Sequence, residues 1–278
     1  TDTTPFVPGD HRDDINEAYQ QMIAMKLINA SDVSHVVPRF NYADGESFVA
    51  WDSDDSDIYD KKFYCITSEF KVYKCIKAGG GATSAQPVHT TTNPVALGDG
   101  YIWKYLYTVA TADSEKFLTN SYLPVSTLAF DVNGGGQATI PSALLETDVK
   151  YPQTASQVAS YNSSTAAGIE RIEVVGGGIY SATPTITITG DGTGATATAV
   201  MSGTGSTQTV ASITINTKGT NYTVADVTFS TGDASARSVI APPAGHGTDP
   251  VGELGAFFIG LNTQLDGADG DHLCYLYS

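Results

Sequence analysis

The chain has 278 residues, enough for one large domain or two small ones at ~100–200 residues each, and 41% of them are apolar, which excludes a disordered chain and predicts a packed core. Fourteen basic residues face thirty acidic ones, for a formal net charge of -16, a balance that repels phosphate backbones and argues against a nucleic-acid partner. Charged residues still make up only 16%, below the ~25% of average domains, and no apolar run approaches the ~20 residues of a membrane span, so no membrane partner is expected.

The first predicted element is a helix capped by Asp13 or Asp14, with Glu17 in capping-box spacing to Asp14. Ile15, Tyr19, Met22 and Ile23 make the stripe expected to be buried, and the run ends near Ala30-Ser31. Residues 34–40 read as an extended segment, and Pro38 marks it as an edge or irregular strand. Residues 63–67 and 71–76 flank Ser68-Glu69-Phe70 and predict a hairpin. Residues 82–98 contain Pro87 and Pro94, lack periodicity and read as a long loop. Gly100 to Val109 is the strongest strand: alternation places Tyr101, Trp103, Tyr105 and Tyr107 on one face. That face is either core or an interface, for sugar or for another subunit. A helical turn at 113–118 and an extended stretch from Pro124-Val125 follow.

Composition changes near residue 150. From about Gln153 to Val239 the chain is rich in Thr, Ser, Gly, Ala and Val and almost empty of charge, and it contains a duplication. Ile169–Tyr180 followed by Pro184–Ile188 is echoed by Ile213–Tyr222 followed by Asp226–Phe229, and each copy ends in a small-residue strand, Ala195–Val200 and Ser235–Ile240. Ile172, Val174, Ile186 and Ile188, with Ile213, Ile215, Val227 and Phe229, would share a thin core. Two copies are too few for an open solenoid, so they must pack on each other or on a neighbour. The expected organisation is a main β-rich body, residues 1–150 and 241–278, interrupted by an inserted module, 151–240. Beyond it come Pro242-Pro243, a structural turn at Gly245-His246-Gly247, a short helix or turn at 251–255, an apolar strand at 256–261 and a final strand at 273–277.

Chemistry is sparse. Asp52-Ser53-Asp54-Asp55-Ser56-Asp57 starts like a calcium loop but has no Gly at its sixth position and Phe63 at its twelfth, so a solvated acidic loop is expected. Gly190-Asp191-Gly192-Thr193-Gly194 precedes alternating Ala and Thr rather than a helix, and reads as a tight turn, not a phosphate cradle. No two of His11, His35, His89, His246 and His272 stand at metal-ligand spacing. His246, between two glycines and near Asp249 and Glu253, reads as a structural junction whose imidazole hydrogen-bonds a loop; a hydrolase site is its rival. Cys65, Cys75 and Cys274 support no zinc site and no disulfide framework, although a Cys65–Cys75 bridge is open if they share paired strands. No catalytic residue, metal or cofactor is expected.

Residues 63–67, 72–76 and 99–108, then Lys116-Phe117-Leu118-Thr119, Tyr122-Leu123-Pro124-Val125, Ala244 to Val251 and Glu253-Leu254-Gly255-Ala256 occur in an order that resembles the gene-product-eight baseplate wedge subunit of T4-like contractile-tailed phages. The duplicated module is similar to inserts in structural proteins of such phages, including cyanobacterial ones. The resemblance implies a layered β-sandwich body with one N-terminal helix and short helical excursions. It also implies a homodimer that bridges other baseplate wedge subunits, located in the virion tail baseplate after assembly in the host cytoplasm, with no catalysis. The rivals are a carbohydrate-binding or tail-fibre-like host-contact β-protein and a polysaccharide-degrading enzyme using paired carboxylates.

Overall fold

The computed structural model describes residues 11–21, 24–134, 136–163, 167–264 and 271–273. Strand accounts for 36% of the chain and helix for 16%, a mainly β fold with four α-helices among the described residues.

Helix α1 (Arg12–Gln21) is shorter than its pattern implied: it stops at Gln21, and β1 (Ala24–Lys26) is already extended. Ile15 and Tyr19 are exposed, because a helix carrying polar residues nearly all round has too little apolar surface to bury; Met22 and Ile23 lie outside the described residues.

The body is built from β2 (Val33–Pro38), β3 (Tyr64–Ile66), β4 (Lys71–Lys77), β5 (Val95–Ala96), β6 (Ile102–Thr108), α2 (Thr111–Phe117) and β7 (Tyr122–Val125), followed by a small ribbon of β8 (Asp131–Val132) and β9 (Ala138–Thr139) and by α3 (Tyr151–Tyr161). It is completed after the module by α4 (Pro250–Glu253), β16 (Phe258–Leu261) and β17 (Asp271–Leu273), which pairs with β1. The last four residues of the expected tail strand, and Cys274, lie outside the described residues.

Two antiparallel sheets face each other. One runs β16-β2-β7 and the other β3-β4-β6-β5, so part of the 82–98 loop is sheet. The segment with Pro38 is the central strand of its sheet, not an edge. It tolerates proline because Pro38 pairs only with Tyr122 of β7, while β16 reaches no further along it than Val36. Val37, Leu123 and Val125 of the first sheet pack against Ile66, Val72, Leu106 and Tyr107 of the second. The far face of the second sheet buries Cys65, Tyr73, Cys75, Tyr101, Trp103 and Tyr105 under Phe48. Tyr107 therefore leaves the aromatic row. A bulge lets Val72 oppose Tyr107 and Tyr73 oppose Tyr105, and the extra residue, Leu106, turns Tyr107 into the layer between the sheets.

The module comprises β10 (Ile169–Gly176), β11 (Ile186–Gly190), β12 (Thr193–Ser202), β13 (Thr209–Thr220), β14 (Ala225–Phe229) and β15 (Ser235–Ile240). Its copies exchange partners: β10 pairs with β15, β11 with β14 and β12 with β13. The first strand of each copy thus lies beside the last strand of the other, a pseudo-twofold that buries two thin apolar faces against each other. The eight positions expected to share one core divide between two clusters, Ile172, Ile188, Ile215 and Val227 in one and Val174, Ile186 and Phe229 in the other, with Ile213 in both. Tyr180 and Tyr222 plug equivalent corners, their hydroxyls accepting from Ala234 N–H at 3.1 Å and Ala195 N–H at 3.4 Å. Glycine makes room for each ring: a Cβ at Gly232 would lie 2.4 Å from Tyr180, and one at Gly192 would lie 2.4 Å from Tyr222. The Asp191-Gly192 turn joins β11 to β12, which pair with different strands, so it is a corner between sheets rather than a hairpin tip.

The module leaves and rejoins the body at one place, where Ala241 N–H donates to Gly168 O at 2.9 Å and Ala167 N–H to Pro242 O at 3.2 Å. Helix α3 falls within 151–240, yet it is sewn to the body. Ser156 Oγ donates to Tyr105 O at 3.4 Å, Gln157 Nε2 to Thr248 O at 2.8 Å and Gln153 Nε2 to Ser126 O at 2.6 Å.

Candidate functional site

Strand alternation in the second sheet puts Lys74 and Lys104 on the face that looks between the sheets, and the register sets them directly opposite each other. Both are buried, at 0% and 2% exposure. Like charges in that relation repel, so the surroundings must compensate. Lys74 Nζ donates to Glu253 Oε2 at 2.6 Å and lies 4.3 Å from the centre of the Trp51 ring. Glu253, at the end of α4, has its other oxygen occupied by Gly247 N–H at 2.7 Å and Asp249 N–H at 3.3 Å. Lys104 donates to the Thr92 carbonyl.

The turn at 245–247 completes the cluster. Gly245 and Gly247 adopt φ of +80° and +88°, and a Cβ at Gly247 would stand 2.9 Å from Lys104 Cε, so the turn needs glycine on both counts. The His246 ring packs edge-on against Trp51, with centroids 5.0 Å apart. Its Nε2 is 3.6 Å from Glu170 Oε2 and its Nδ1 is 3.9 Å from Glu253 Oε2, and neither ring nitrogen has a hydrogen-bond partner among the described residues. The expected contact between imidazole and loop is therefore absent. What joins the loop is backbone, with Ser160 Oγ donating to the His246 carbonyl at 2.6 Å. Glu170 of β10 is paired with Lys218 of β13 at 2.8 Å.

Burial dominates the electrostatics. It pushes the Lys74 ammonium down, against the pull of Glu253, and it lowers Lys104 to about 8. Burial and the Lys74 charge lower His246, which is neutral at pH 7. Burial alone would raise the Glu170 carboxyl, yet the Lys218 ammonium paired with it at 2.8 Å holds it below the usual carboxylate range. The site is thus two ion pairs, a further buried lysine and a neutral histidine.

The Ser160 hydroxyl is turned to the His246 backbone carbonyl rather than to the ring. Cys65 and Cys75 share a face on paired strands but are free thiols, and burial drives the first well up and the second to about 12. Among the described residues no three His, Cys, Asp or Glu gather as metal ligands. Tyr101, Trp103 and Tyr105 are buried, so the row offers no platform for a sugar. The 52–57 run is not wholly solvated: Asp52 is buried and takes a bidentate contact from Arg237 at 2.8 and 2.6 Å, with Arg171 3.6 Å away. Sequence reasoning missed Lys74, Lys104 and Glu170, and it placed Asp52 in a solvated loop. A lysine within a strand of otherwise buried apolar residues was the one signal, present in both β4 and β6.

Fold and site define a layered β protein carrying a pseudo-symmetric module on a buried ionic junction. Compared with protein-family models, curated proteins and solved structures, the chain matches none.

Proposed function

We propose that this protein is a structural subunit of a contractile phage tail baseplate wedge, a homodimer in the virion that bridges other wedge subunits and makes or breaks no bonds. The ordered motifs that resemble the wedge family support this reading, as does the agreement between the layered β body and the architecture that resemblance implies.

The observation that carries it is strand β16. This is an edge strand whose Phe258, Ile259 and Leu261 are 53%, 57% and 59% exposed, with Phe257 before it at 75%. Natural edges are protected by charge, proline or a bulge. Residues 257–261 contain no charge and no proline, and their register with β2 is unbroken. Asn262 N–H donates to Asp32 O in that register, so Phe258 and Gly260 bond inward, while Ile259 and Leu261 turn their N–H and C=O groups to the open edge. This pattern is self-complementary. A twofold axis at Ile259 pairs that residue with itself in a second copy and sets Leu261 N–H against the Phe257 carbonyl in both directions. Two chains of net charge -16 also meet with least repulsion along an uncharged edge.

Function is tested in the particle. A phage lacking this chain should accumulate incomplete baseplates, rescued by supplying the chain in trans. Normal tails assembled without it would overturn the reading.

A further inference from the structure

We propose that the cavity beside His246 is a binding site for a small oxyanion of the phosphate or carboxylate class. Its volume is about 170 Å³ and its walls include Lys104, His246, Glu170, Lys218, Ser160 and Asn93. At ~30 Å³ per water in the liquid, that is room for about five waters, or for one such ion with fewer.

The ion pairs around the cavity leave one charge over. Lys74 is matched by Glu253 and Lys218 by Glu170, at 2.6 and 2.8 Å. Lys104 has no carboxylate in salt-bridge contact among the described residues; its acceptor is the Thr92 carbonyl. A buried ammonium without a counter-ion is costly. His246 is nine-tenths buried, and among the described residues both its ring nitrogens lack a hydrogen-bond partner. Its Nε2 edge faces Glu170, which lines this cavity, whereas its Nδ1 edge faces Glu253, which does not. An oxyanion between Lys104 Nζ and an N–H at His246 Nε2 supplies the acceptor the ring lacks and the negative charge the ammonium lacks. Glu170 does not bar it, since its charge is already met by Lys218. A cation is disfavoured by the two lysines in the wall. Exposed Asn93 and Pro94 form the way in. The cavity joins β6, α3, the module strands β10 and β13 and the 245–247 turn, so a bound ion would clamp the module to the body.

The test uses the full chain, titrated with inorganic phosphate, with acetate and, at matched ionic strength, with chloride. The thermal midpoint and the assigned imidazole nitrogen signals of His246 are followed. The proposal expects saturation at one ion per chain with phosphate or acetate, a shift of the His246 signals and a midpoint that climbs with ligand, and none of these with chloride. A response to phosphate alone assigns a tetrahedral ion, and a response to acetate alone a carboxylate. Lys104→Gln should weaken binding by about tenfold to a hundredfold. Ala159→Leu, which fills the cavity from α3 without removing a charge, should give a similar loss and serves if the first variant does not fold. Binding that never saturates, that chloride reproduces, or that survives both variants would overturn the proposal.

Discussion

Lys74 shows how much depends on single residues here. Its ammonium is buried, ion-paired and stacked over Trp51. Lys74→Met would strand the Glu253 carboxylate, and breaking one half of such a pair costs about 3–5 kcal/mol. Urea unfolding should show that loss, and a change below 1 kcal/mol would mean that the pair is not buried as described. Lys104 and His246 tie stability to pH. Both hold their protons less tightly folded than unfolded, so between its folded and unfolded values each makes the unfolded state the better proton binder, and stability rises with pH. For Lys104 the rise spans about pH 8 to 10.5. For His246 it lies below 6.5, so acid destabilises the fold as pH drops through that value. Lys104→Met should flatten the alkaline rise and His246→Gln the acid fall, relative to the wild-type chain in parallel unfolding series. An unchanged profile in either variant contradicts the assignment.

Elements were legible in the sequence to the extent that they bury apolar side chains on a regular period. The hairpin of β3 and β4, the aromatic strand β6 and the duplicated strands of the module all announce themselves in that way. Helix α3 does not, because its buried residues are Gln153, Thr154, Ser156, Gln157 and Ser160, a polar face satisfied by hydrogen bonds to the body. Hydrophobic period cannot reveal a helix held in this manner. The departure of Tyr107 was hidden for a related reason: a bulge shifts alternation by one residue and leaves no mark in composition. In the site, the glycines flanking His246 were readable as a turn, but the partners come from β4, β6, β10 and α4, which only the fold brings together. Two elements yield direct tests. Ile259→Lys places a charge at the centre of the open β16 edge. It should weaken self-association by at least about thirtyfold, the scale of an interface hot spot, without altering the thermal midpoint of the monomer. Light scattering over a concentration series reads it, and a dimer unaffected by the lysine would move the seam elsewhere. Asp52→Ala removes the carboxylate that Arg237 and Arg171 share. It should speed amide hydrogen exchange in β10 and β15 while sparing β4 and β6; uniform exchange across both sets would deny Asp52 its docking role.

At the scale of the whole molecule, the chain is a β body with a second unit set into it. The crossing point is narrow, and Ile172 and Ser238 face each other across β10 and β15. Val239 reaches from β15 into the body core. Excision of residues 173–237, with a short turn joining Ile172 to Ser238, should therefore leave a body that still unfolds cooperatively, whereas gross unfolding would show that module and body are one folding unit. The composition suits assembly: a surface poor in charge outside its acidic groups, a bare apolar edge at β16 and a polar junction between module and body. The claim that unites these features is that the protein is a building part of a contractile tail. Quantitative mass spectrometry of purified tails from a phage carrying this sequence is the most direct test. The account predicts this chain in the baseplate fraction at a fixed ratio to the other wedge proteins, and its absence from intact, functional tails would contradict it.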